Sequence, residues 1–147
     1  MSNASMRNDI QASVTVLERH LAAENSHDVD GIVRTFAEDG VLVLNGEAFR
    51  GRPLIQKVHE RFGFGNRGAF SELQVREKHR HATPGAIVLE EELSGRHTGP
   101  WEGLDPTQRP FAIAVCTVYE FNTASELASE RVYFDGNALL KQLRGGA

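Results

Sequence analysis

The stretch that decides the fold is residues 111–122, FAIAVCTVYEFN, in which larger and smaller side chains alternate. Successive side chains of a β-strand point to opposite faces of its sheet. One face of this strand carries the larger residues Phe111, Ile113, Val115, Thr117, Tyr119 and Phe121. The other face carries Ala112, Ala114, Cys116, Val118 and Glu120. The first face is predicted to line the interior, and the second is predicted to contact another subunit.

Three more strands flank this one. Residues 86–97 alternate in the same way, residues 126–135 follow a turn at 122–125, and residues 70–82 precede a Thr-Pro-Gly turn at 83–85. Strands joined by short turn segments are typical of antiparallel hairpins. The second half of the chain is therefore predicted to be mainly an antiparallel sheet.

The first half has the helical period instead. Apolar residues recur every three or four positions over residues 6–25, over a short segment capped by Asp28, and after the Gly-Arg-Pro turn at 51–53. The apolar residues of these three predicted helices are Ile10, Val14, Leu17 and Leu21, then Ile32, Val33 and Phe36, then Leu54, Ile55, Val58 and Phe62. One short strand is predicted at 41–44, and a last short helix is predicted around Leu139.

Helices followed by a run of long strands indicate an α+β fold. We expect a cone-shaped α+β barrel, in which three N-terminal helices pack on the concave face of a strongly curved, mainly antiparallel sheet and a short C-terminal helix follows. Such packing leaves a pocket between the sheet and the helices. Residues 1–147 are predicted to form a single domain with flexible ends at 1–5 and 144–147.

The composition argues against several classes of function. The net charge is −4 and no Lys/Arg patch is visible, whereas nucleic-acid binding depends on phosphate contacts from a basic surface. No apolar segment approaches the roughly 20 residues that span a bilayer, and no signal-peptide pattern is present. The single cysteine, Cys116, cannot form an internal disulfide. We therefore expect a cytoplasmic protein that binds neither nucleic acid nor membrane.

Several stretches resemble a known family. Residues 20–31, HLAAENSHDVDG, and 36–41, FAEDGV, resemble the opening helices of the nuclear transport factor 2-like superfamily. Residues 95–107, GRHTGPWEGLDPT, and 130–135, ERVYFD, resemble its SnoaL-like polyketide (ester) cyclase branch. The chain departs from that branch at Gln108, where glycine is common, and in the hairpin before the last of these stretches, which lacks the usual Asp-Gly turn.

The resemblance implies a site and a chemistry. In this family the aspartate that matches Asp135 serves as general acid and base, and the histidine that matches His97 lies nearby. The implied protein is a cofactor-independent enzyme that uses this pair in an apolar pocket, on a hydrophobic substrate with a carbonyl group. The implied reactions are cyclisation, isomerisation and hydration or another lyase-type step.

Strand alternation supports the same pair independently. His97 falls on the apolar face of its strand, and Asp135 shares one face of the last strand with Arg131 and Tyr133. Both side chains are expected to face one water-poor pocket, where burial raises the pKa of a carboxyl group and makes it a better proton shuttle. Two simpler interpretations stay open: Asp135 caps the final helix or starts its turn, and His97 is a core histidine with satisfied hydrogen bonds.

Six further residues are predicted to bind the substrate: Glu91, Arg131, Tyr119, Tyr133, Trp101 and Phe36. Glu91 lies on the apolar face of its strand, and because a buried carboxylate needs a partner, we expect an ion pair with Arg131. Both tyrosines offer a hydroxyl to the substrate, although each is also typical of a core aromatic whose tip reaches water. Trp101 lies in a Gly/Pro-rich loop, where it acts either as a lid or as a subunit contact.

No metal and no other cofactor is predicted. His79 and His81 have the same-face spacing of a metal-binding pair on a strand, but no third ligand accompanies them. His20, His27 and His59 lie among polar neighbours on predicted helices and are not assigned to a site.

These observations favour a SnoaL-like acid–base enzyme for a small hydrophobic molecule, predicted to form a homodimer through its sheet. A non-catalytic binding or association module of the same fold is the alternative. An epoxide-hydrolase-like activity ranks lower, because it requires an Asp–Arg–Asp set and the sequence offers no convincing second aspartate beside Arg131 and Asp135.

Overall fold

The computed structural model describes residues 2–146, so Met1 and Ala147, which belong to the predicted flexible ends, lie outside it. Its elements in chain order are α1 Asn3–Asn25, α2 Val29–Arg34, β1 Phe36–Leu44, β2 Glu47–Arg50, α3 Arg52–Phe62, β3 Phe70–Thr83, β4 Ala86–His97, β5 Pro110–Phe121, β6 Leu127–Phe134 and α4 Gly136–Leu143. Within residues 2–146, no helix combines the length and the apolar character needed to cross a membrane.

The six strands form one sheet in the order β2-β1-β6-β5-β4-β3. Neighbouring strands are antiparallel except β1 and β6, which run parallel. The helices contribute buried side chains such as Leu17, Ile32 and Ile55 to the same core as the inward side chains of the sheet. The predicted α+β class with a curved, mainly antiparallel sheet is confirmed.

Strand pairing moves the boundary between α2 and β1. Helical periodicity assigns Phe36 to a helix, but α2 ends at Arg34 and β1 begins at Phe36. Leu127 donates its N–H to the carbonyl of Thr35 at 2.9 Å, and Phe36 pairs with Leu127 in the parallel ladder. Pairing with β6 therefore draws this segment into the sheet. The hairpin partner β2 has only 4 residues, too few to show a period in the sequence.

A β-bulge in β6 reverses the predicted direction of its side chains. Glu120 pairs with Ser129 whereas Phe121 pairs with Leu127, so Ala128 is an extra residue in β6. One extra residue in a strand turns every following side chain to the opposite face of the sheet. A regular alternation through residues 126–135, as the sequence suggests, is therefore wrong beyond the bulge.

The inward side chains of β6 beyond the bulge are Glu130, Val132 and Phe134. Arg131 and Tyr133 instead point to the outer face, where Tyr133 is 44% exposed. Asp135, just after the strand, is also exposed. The prediction that Arg131, Tyr133 and Asp135 face the interior is wrong for all three.

The outer face of β5 has the predicted composition. Ala112 and Ala114 are exposed there, and Cys116 and Val118 are half-buried. A homodimer through this face stays a prediction.

Gly63 ends α3 in a conformation that only glycine adopts easily. Its φ is +130°, and a methyl group at its Cα would overlap the backbone carbonyl of Phe70. We expect Gly63→Ala to lower the free energy of unfolding by about 2–3 kcal/mol or more, because backbone strain and steric exclusion add. Urea unfolding followed by circular dichroism measures the change.

Gly85→Ala is the matched control for this substitution. Gly85 also has a positive φ, +84°, but no atom lies within 4 Å of the added methyl position. Its replacement should cost only about 1 kcal/mol from backbone strain. Equal losses in the two variants would contradict the steric argument.

Candidate functional site

A cavity between α3 and the concave face of the sheet is the candidate site. Its inner pocket has a volume of about 60 Å³ and a mostly apolar wall that includes Leu42, Val58 and Phe62. The polar residues in this wall are Glu24, His59, Glu91, Thr117, Tyr119 and Glu130. A few polar groups in an apolar wall are typical of small-molecule sites.

A larger cavity of about 760 Å³, the vestibule, adjoins the inner pocket. The two spaces share four lining residues, Leu44, Val58, Phe62 and Phe134. The vestibule is more polar, and its wall includes Asn45, Glu47, Arg61, Trp101, Glu102, Asp135 and Asn137. The inner pocket has room for a few water molecules or one end of a ligand, so a larger ligand must extend into the vestibule.

A buried histidine lies between two carboxylates next to the pocket. His20 is fully buried, and its Nε2 lies 3.3 Å from Glu24 Oε1 and 3.4 Å from Glu130 Oε1. Glu24 follows His20 by one turn of α1, and Glu130 faces inward because of the bulge. The Thr35 hydroxyl donates to the carbonyl of Ile32 at 2.6 Å, so His20 Nδ1–H donates to the Thr35 oxygen at 2.8 Å. This hydrogen bond directs Nε2 toward the two carboxylates.

The charges of this group decide its protonation. Burial alone lowers the pKa of His20, but the negative charges of Glu130 and Glu24 outweigh burial and raise this pKa to about 10. Burial raises the pKa of Glu130, but the charge of His20 counteracts it and holds the pKa of Glu130 below its ordinary value. At neutral pH, His20 is therefore an imidazolium ion and Glu130 a carboxylate.

The same three residues have the composition of a metal site. Ligand atoms of His20, Glu24 and Glu130 all lie within 4.8 Å of one another, and no other such group occurs within residues 2–146. A metal ion would have to displace the proton that His20 holds between the carboxylates. We interpret the group as a buried ion network, and the absence of a bound metal stays a prediction.

Glu91 is another buried carboxyl group of the inner pocket. It is 5% exposed, and its Oε1 accepts a hydrogen bond from the Thr117 hydroxyl at 2.7 Å. Its Oε2 has no partner among residues 2–146. Burial, followed by the negative charges of Glu24 and Glu130, raises the pKa of Glu91 to about 8. Glu91 is therefore mostly a neutral carboxylic acid at pH 7.

The pocket wall thus holds a carboxylic acid and a carboxylate at the same pH. Environments that push the pKa values of two carboxyl groups apart are a mark of acid–base sites. Each has one oxygen without a partner among residues 2–146, but Glu91 carries the proton whereas Glu130 is a carboxylate paired with His20. Of the two, Glu91 is the group equipped to exchange a proton with a ligand.

Asp135 lies at the rim of the vestibule and not in the inner pocket. Its carboxylate accepts hydrogen bonds from the backbone N–H groups of Asn137 at 3.0 Å and Ala138 at 3.1 Å. It is the N-cap of α4. The simpler interpretation of this residue, a helix cap, is the one that the structure has.

His97 is buried on the inner face, as strand alternation predicts, but it lines neither the inner pocket nor the vestibule. Its Nδ1 accepts a hydrogen bond from the N–H of Thr107 at 3.1 Å. Its ring packs against Phe70, with 5.8 Å between the ring centroids. These contacts tie the loop after β4 to the aromatic part of the core.

The predicted Asp135–His97 pair does not form. Arg96, next to His97, pairs with position 110 of β5, and Phe134, next to Asp135, pairs with position 115. The five-residue offset from 110 to 115 corresponds to roughly 16 Å along a strand. The two side chains lie on opposite sides of β5, far apart and in different surroundings.

The predicted ion pair between Glu91 and Arg131 is also wrong. Arg131 lies on the outer face, where its Nη2 is 2.7 Å from Glu120 Oε1. Tyr133 lies on the same face and cannot reach the pocket. The hydroxyl of Thr117 takes the place of the expected arginine.

The other predicted binding residues differ in their positions. Glu91 and Tyr119 line the inner pocket, and Trp101 lines the vestibule, packed against Phe62 at 5.4 Å between ring centroids. Phe36 lines neither space, because it enters the core at the start of β1.

The sequence did not point to Glu24 and Glu130 in the pocket wall, or to His20 beside it. His20 and Glu24 lie on the helical face of Leu17 and Leu21, so polar residues within an apolar stripe were the available signal. Glu130 gave no signal, because only the bulge turns it inward.

Comparison with known proteins agrees with this architecture. The model of the family described as SnoaL-like polyketide cyclase matches residues 14–143. A candidate polyketide cyclase from Xanthomonas campestris pv. campestris has 18% identity and a TM-score of 0.82, over 92% of this chain and 98% of that one. No curated protein matches this chain in sequence.

Two further solved structures share the fold. A protein with a ketosteroid isomerase-like fold from Catenulispora acidiphila DSM 44928 has 19% identity and a TM-score of 0.74, over 88% of this chain and 92% of that one. An LEH-like epoxide hydrolase from M. tuberculosis has 20% identity and a TM-score of 0.72, over 93% of this chain and 92% of that one. Likeness at these identities shows a shared fold and leaves the chemistry to the site.

Two substitutions of Asp135 test its role as the helix cap. Asp135→Ala removes both hydrogen bonds to α4 and should lower the free energy of unfolding by about 1 kcal/mol. Asp135→Asn should stay within a few tenths of a kcal/mol of the parent, because asparagine caps helices equally well. Urea unfolding compares them, and an equal loss in both variants would contradict the cap.

The buried ion network predicts that stability falls as pH rises above neutrality. The folded-state pKa of His20, about 10, exceeds its ordinary value of 6.5, so its contribution is complete below pH 6.5 and is lost by about pH 10. Glu91 acts in the same direction between 4.5 and about 8, because the folded state holds a proton that the unfolded state releases.

Urea unfolding at a series of pH values measures this decline. Glu24→Gln removes one of the charges that hold the proton on His20, so its stability should fall less steeply with pH. The exposed Glu18→Gln on the same helix is the control and should keep the parent slope. A Glu24→Gln slope equal to that of the parent would remove the support for a charged His20.

Proposed function

Because this chain belongs to the SnoaL-like polyketide cyclase family, we propose that it is a cofactor-independent acid–base enzyme acting on a carbonyl compound. Glu91 is the proposed acid, and it takes the role that the sequence assigned to Asp135. The observation that carries the proposal is the protonated Glu91, whose unpartnered Oε2 lies in the wall of an apolar pocket.

The surroundings of Glu91 suit proton transfer. A general acid works best when its pKa lies near the working pH, and the pKa of Glu91 is about 8. The Thr117 hydroxyl fixes one oxygen of the carboxyl group and leaves the other for a ligand. A ligand carbonyl that accepts the Glu91 proton loses electron density at carbon, which makes the neighbouring C–H bonds more acidic.

The pocket also limits the substrate. Its apolar wall and the carboxylates around it favour a neutral, hydrophobic molecule over an anion. The volume of about 60 Å³ admits one end of such a molecule, and the remainder lies in the vestibule. Cyclisation and isomerisation of a ring-forming or polycyclic ketone fit these conditions.

The sequence also allowed a non-catalytic binding module and an epoxide-hydrolase-like enzyme. A non-catalytic binding module gains support from the separation of Asp135 and His97, so the enzyme proposal depends on Glu91. An epoxide-hydrolase-like Asp–Arg–Asp set has no support, because the described wall of the inner pocket contains neither aspartate nor arginine and that of the vestibule contains one aspartate, Asp135.

Exchange of ketone α-hydrogens in deuterated water tests the proposal without the natural substrate. We expect the protein to accelerate this exchange in β-tetralone, followed by NMR, above the rate in buffer. Glu91→Gln is nearly isosteric and removes the proton donor, so it should lower the rate about 100-fold. Glu90→Gln, the exposed neighbour on the other face of β4, is the matched control and should keep the parent rate.

The pH profile adds a second test. Because the protonated form of Glu91 is the active one, the exchange rate should fall as pH rises through about 8. The other titratable groups in or beside this wall are His20 and Glu24 of α1, His59 of α3, Tyr119 of β5 and Glu130 of β6. A protein that binds β-tetralone without exchange, or that fails to bind it, would contradict the proposed function.

A further inference from the structure

His59 is a second polar group in the inner pocket and lies on the helical side, across from the sheet. It comes from α3, it is 4% exposed, and it lines the pocket together with Val58 and Phe62. Nothing in the sequence distinguishes it from the other helical histidines.

A backbone hydrogen bond fixes the ring of His59. Its Nδ1 lies 2.8 Å from the carbonyl oxygen of Ile55, which only accepts, so Nδ1 carries the hydrogen. In the neutral ring, Nε2 therefore holds the lone pair. Phe36 and Phe64 pack on the ring, at 6.4 and 5.4 Å between centroids, and hold its orientation.

The lone pair of His59 Nε2 is free for a ligand. Among residues 2–146, Nε2 of His59 makes no hydrogen bond. Nε2 of His59 is not among the enclosed polar atoms without a partner that occur within residues 2–146, whereas Glu91 Oε2 is one of them. A free imidazole nitrogen at the surface of an apolar pocket is placed to take up a proton.

Two buried carboxyl groups, those of Glu24 and Glu130, share the wall of the inner pocket with His59. An imidazolium formed at His59 would face the carboxylate side of the pocket, formed by Glu24 and Glu130. The protein therefore has a stabilising environment ready for the charge that proton uptake creates.

We propose that His59 is a catalytic base, whose Nε2 removes the proton from the carbon next to the carbonyl group that Glu91 protonates. This inference rests on the proposed function and adds the base that complements the acid Glu91. It assigns the acid to the sheet side of the pocket and the base to the helix side.

The proposed step conserves total charge, because His59 becomes an imidazolium as Glu91 becomes a carboxylate. The C–H bond breaks, its proton goes to His59 Nε2, and its electron pair forms the carbon–carbon double bond of an enol. The carbonyl oxygen takes the proton of Glu91 Oε2 at the same time. In a ketone with a neighbouring C=C bond, the dienol takes the proton of His59 Nε2 at its far carbon and returns its hydroxyl proton to Glu91, which completes an isomerisation. In an aldol-type cyclisation, the enol carbon attacks a second carbonyl, whose oxygen takes the proton of His59 Nε2 while the enol hydroxyl returns its proton to Glu91.

This pairing selects among the possible reactions. A ketone, a neutral acid and a neutral base give an enol without an unpaired enolate in the apolar pocket, where such a charge would be costly. Hydration needs a bound water and an electrophilic carbon, and it makes no use of an acidic C–H bond. The proposed substrates are therefore enolisable ketones.

Two conservative variants separate a catalytic from a structural role for His59. In His59→Asn the amide can still donate to the Ile55 carbonyl, but the basic Nε2 is gone. We expect β-tetralone exchange to fall about 100-fold, with little change in the urea unfolding midpoint. His79→Asn, an exposed histidine on β3 outside both cavities, is the matched control and should keep the parent rate.

Chemical rescue provides a readout that packing alone does not produce. His59→Ala should lose exchange activity. Free imidazole should raise the exchange rate of this variant at least tenfold, whereas the non-basic analogue pyrrole should leave that rate unchanged. Parent-like exchange in His59→Asn, or no difference between imidazole and pyrrole, would overturn the assignment of His59. If Glu91→Gln loses exchange while His59→Asn keeps it, only this inference fails; absence of exchange in the unmodified protein would refute the proposed function itself.

Discussion

The interaction on which the site depends is the buried contact of the His20 imidazolium with Glu24 and Glu130. Two carboxylates in the core are tolerated only with a compensating charge, because an isolated buried ion is very costly. The contact also joins α1 to β6, elements that lie on different layers of the fold. A buried ion pair contributes little net stability compared with apolar residues of similar volume. We therefore infer that the role of this contact is the electrostatic field that it produces in the pocket.

That field determines the protonation state of Glu91. Two carboxylates share one imidazolium, so the wall beside Glu91 keeps negative character, and burial acts in the same direction on the pKa of Glu91. A carboxyl group that would be ionised on the surface is held here as an acid. The position of Glu130 in this wall depends in turn on the extra residue Ala128, because a regular β6 would present Arg131 instead. A one-residue irregularity in backbone pairing thus sets the protonation of a side chain on another strand.

The sequence was sufficient for the fold and insufficient for the site. Strand alternation correctly placed Ile87, Glu91 and Tyr119 inside, because β4 and β5 pair without interruption at these positions. It failed in β6, since a bulge is a property of pairing between strands and leaves no reliable mark in the period of one strand. Helical periodicity failed at Phe36 for a related reason: the parallel ladder with β6 overrides the local preference. His59 was passed over because its neighbours in sequence are polar, while its neighbours in space are Phe36 and Phe64.

One of the two stretches that resemble the SnoaL-like branch, residues 130–135, ends in a structural element of this chain. Asp135 caps α4, and α4 places Leu139 and Leu143, both fully buried, in the core. Glu91 and His59 differ from Asp135, because they line the inner pocket and cap no helix. A role carried over from the stretch 130–135 therefore has to be checked against the side chains that line the cavity.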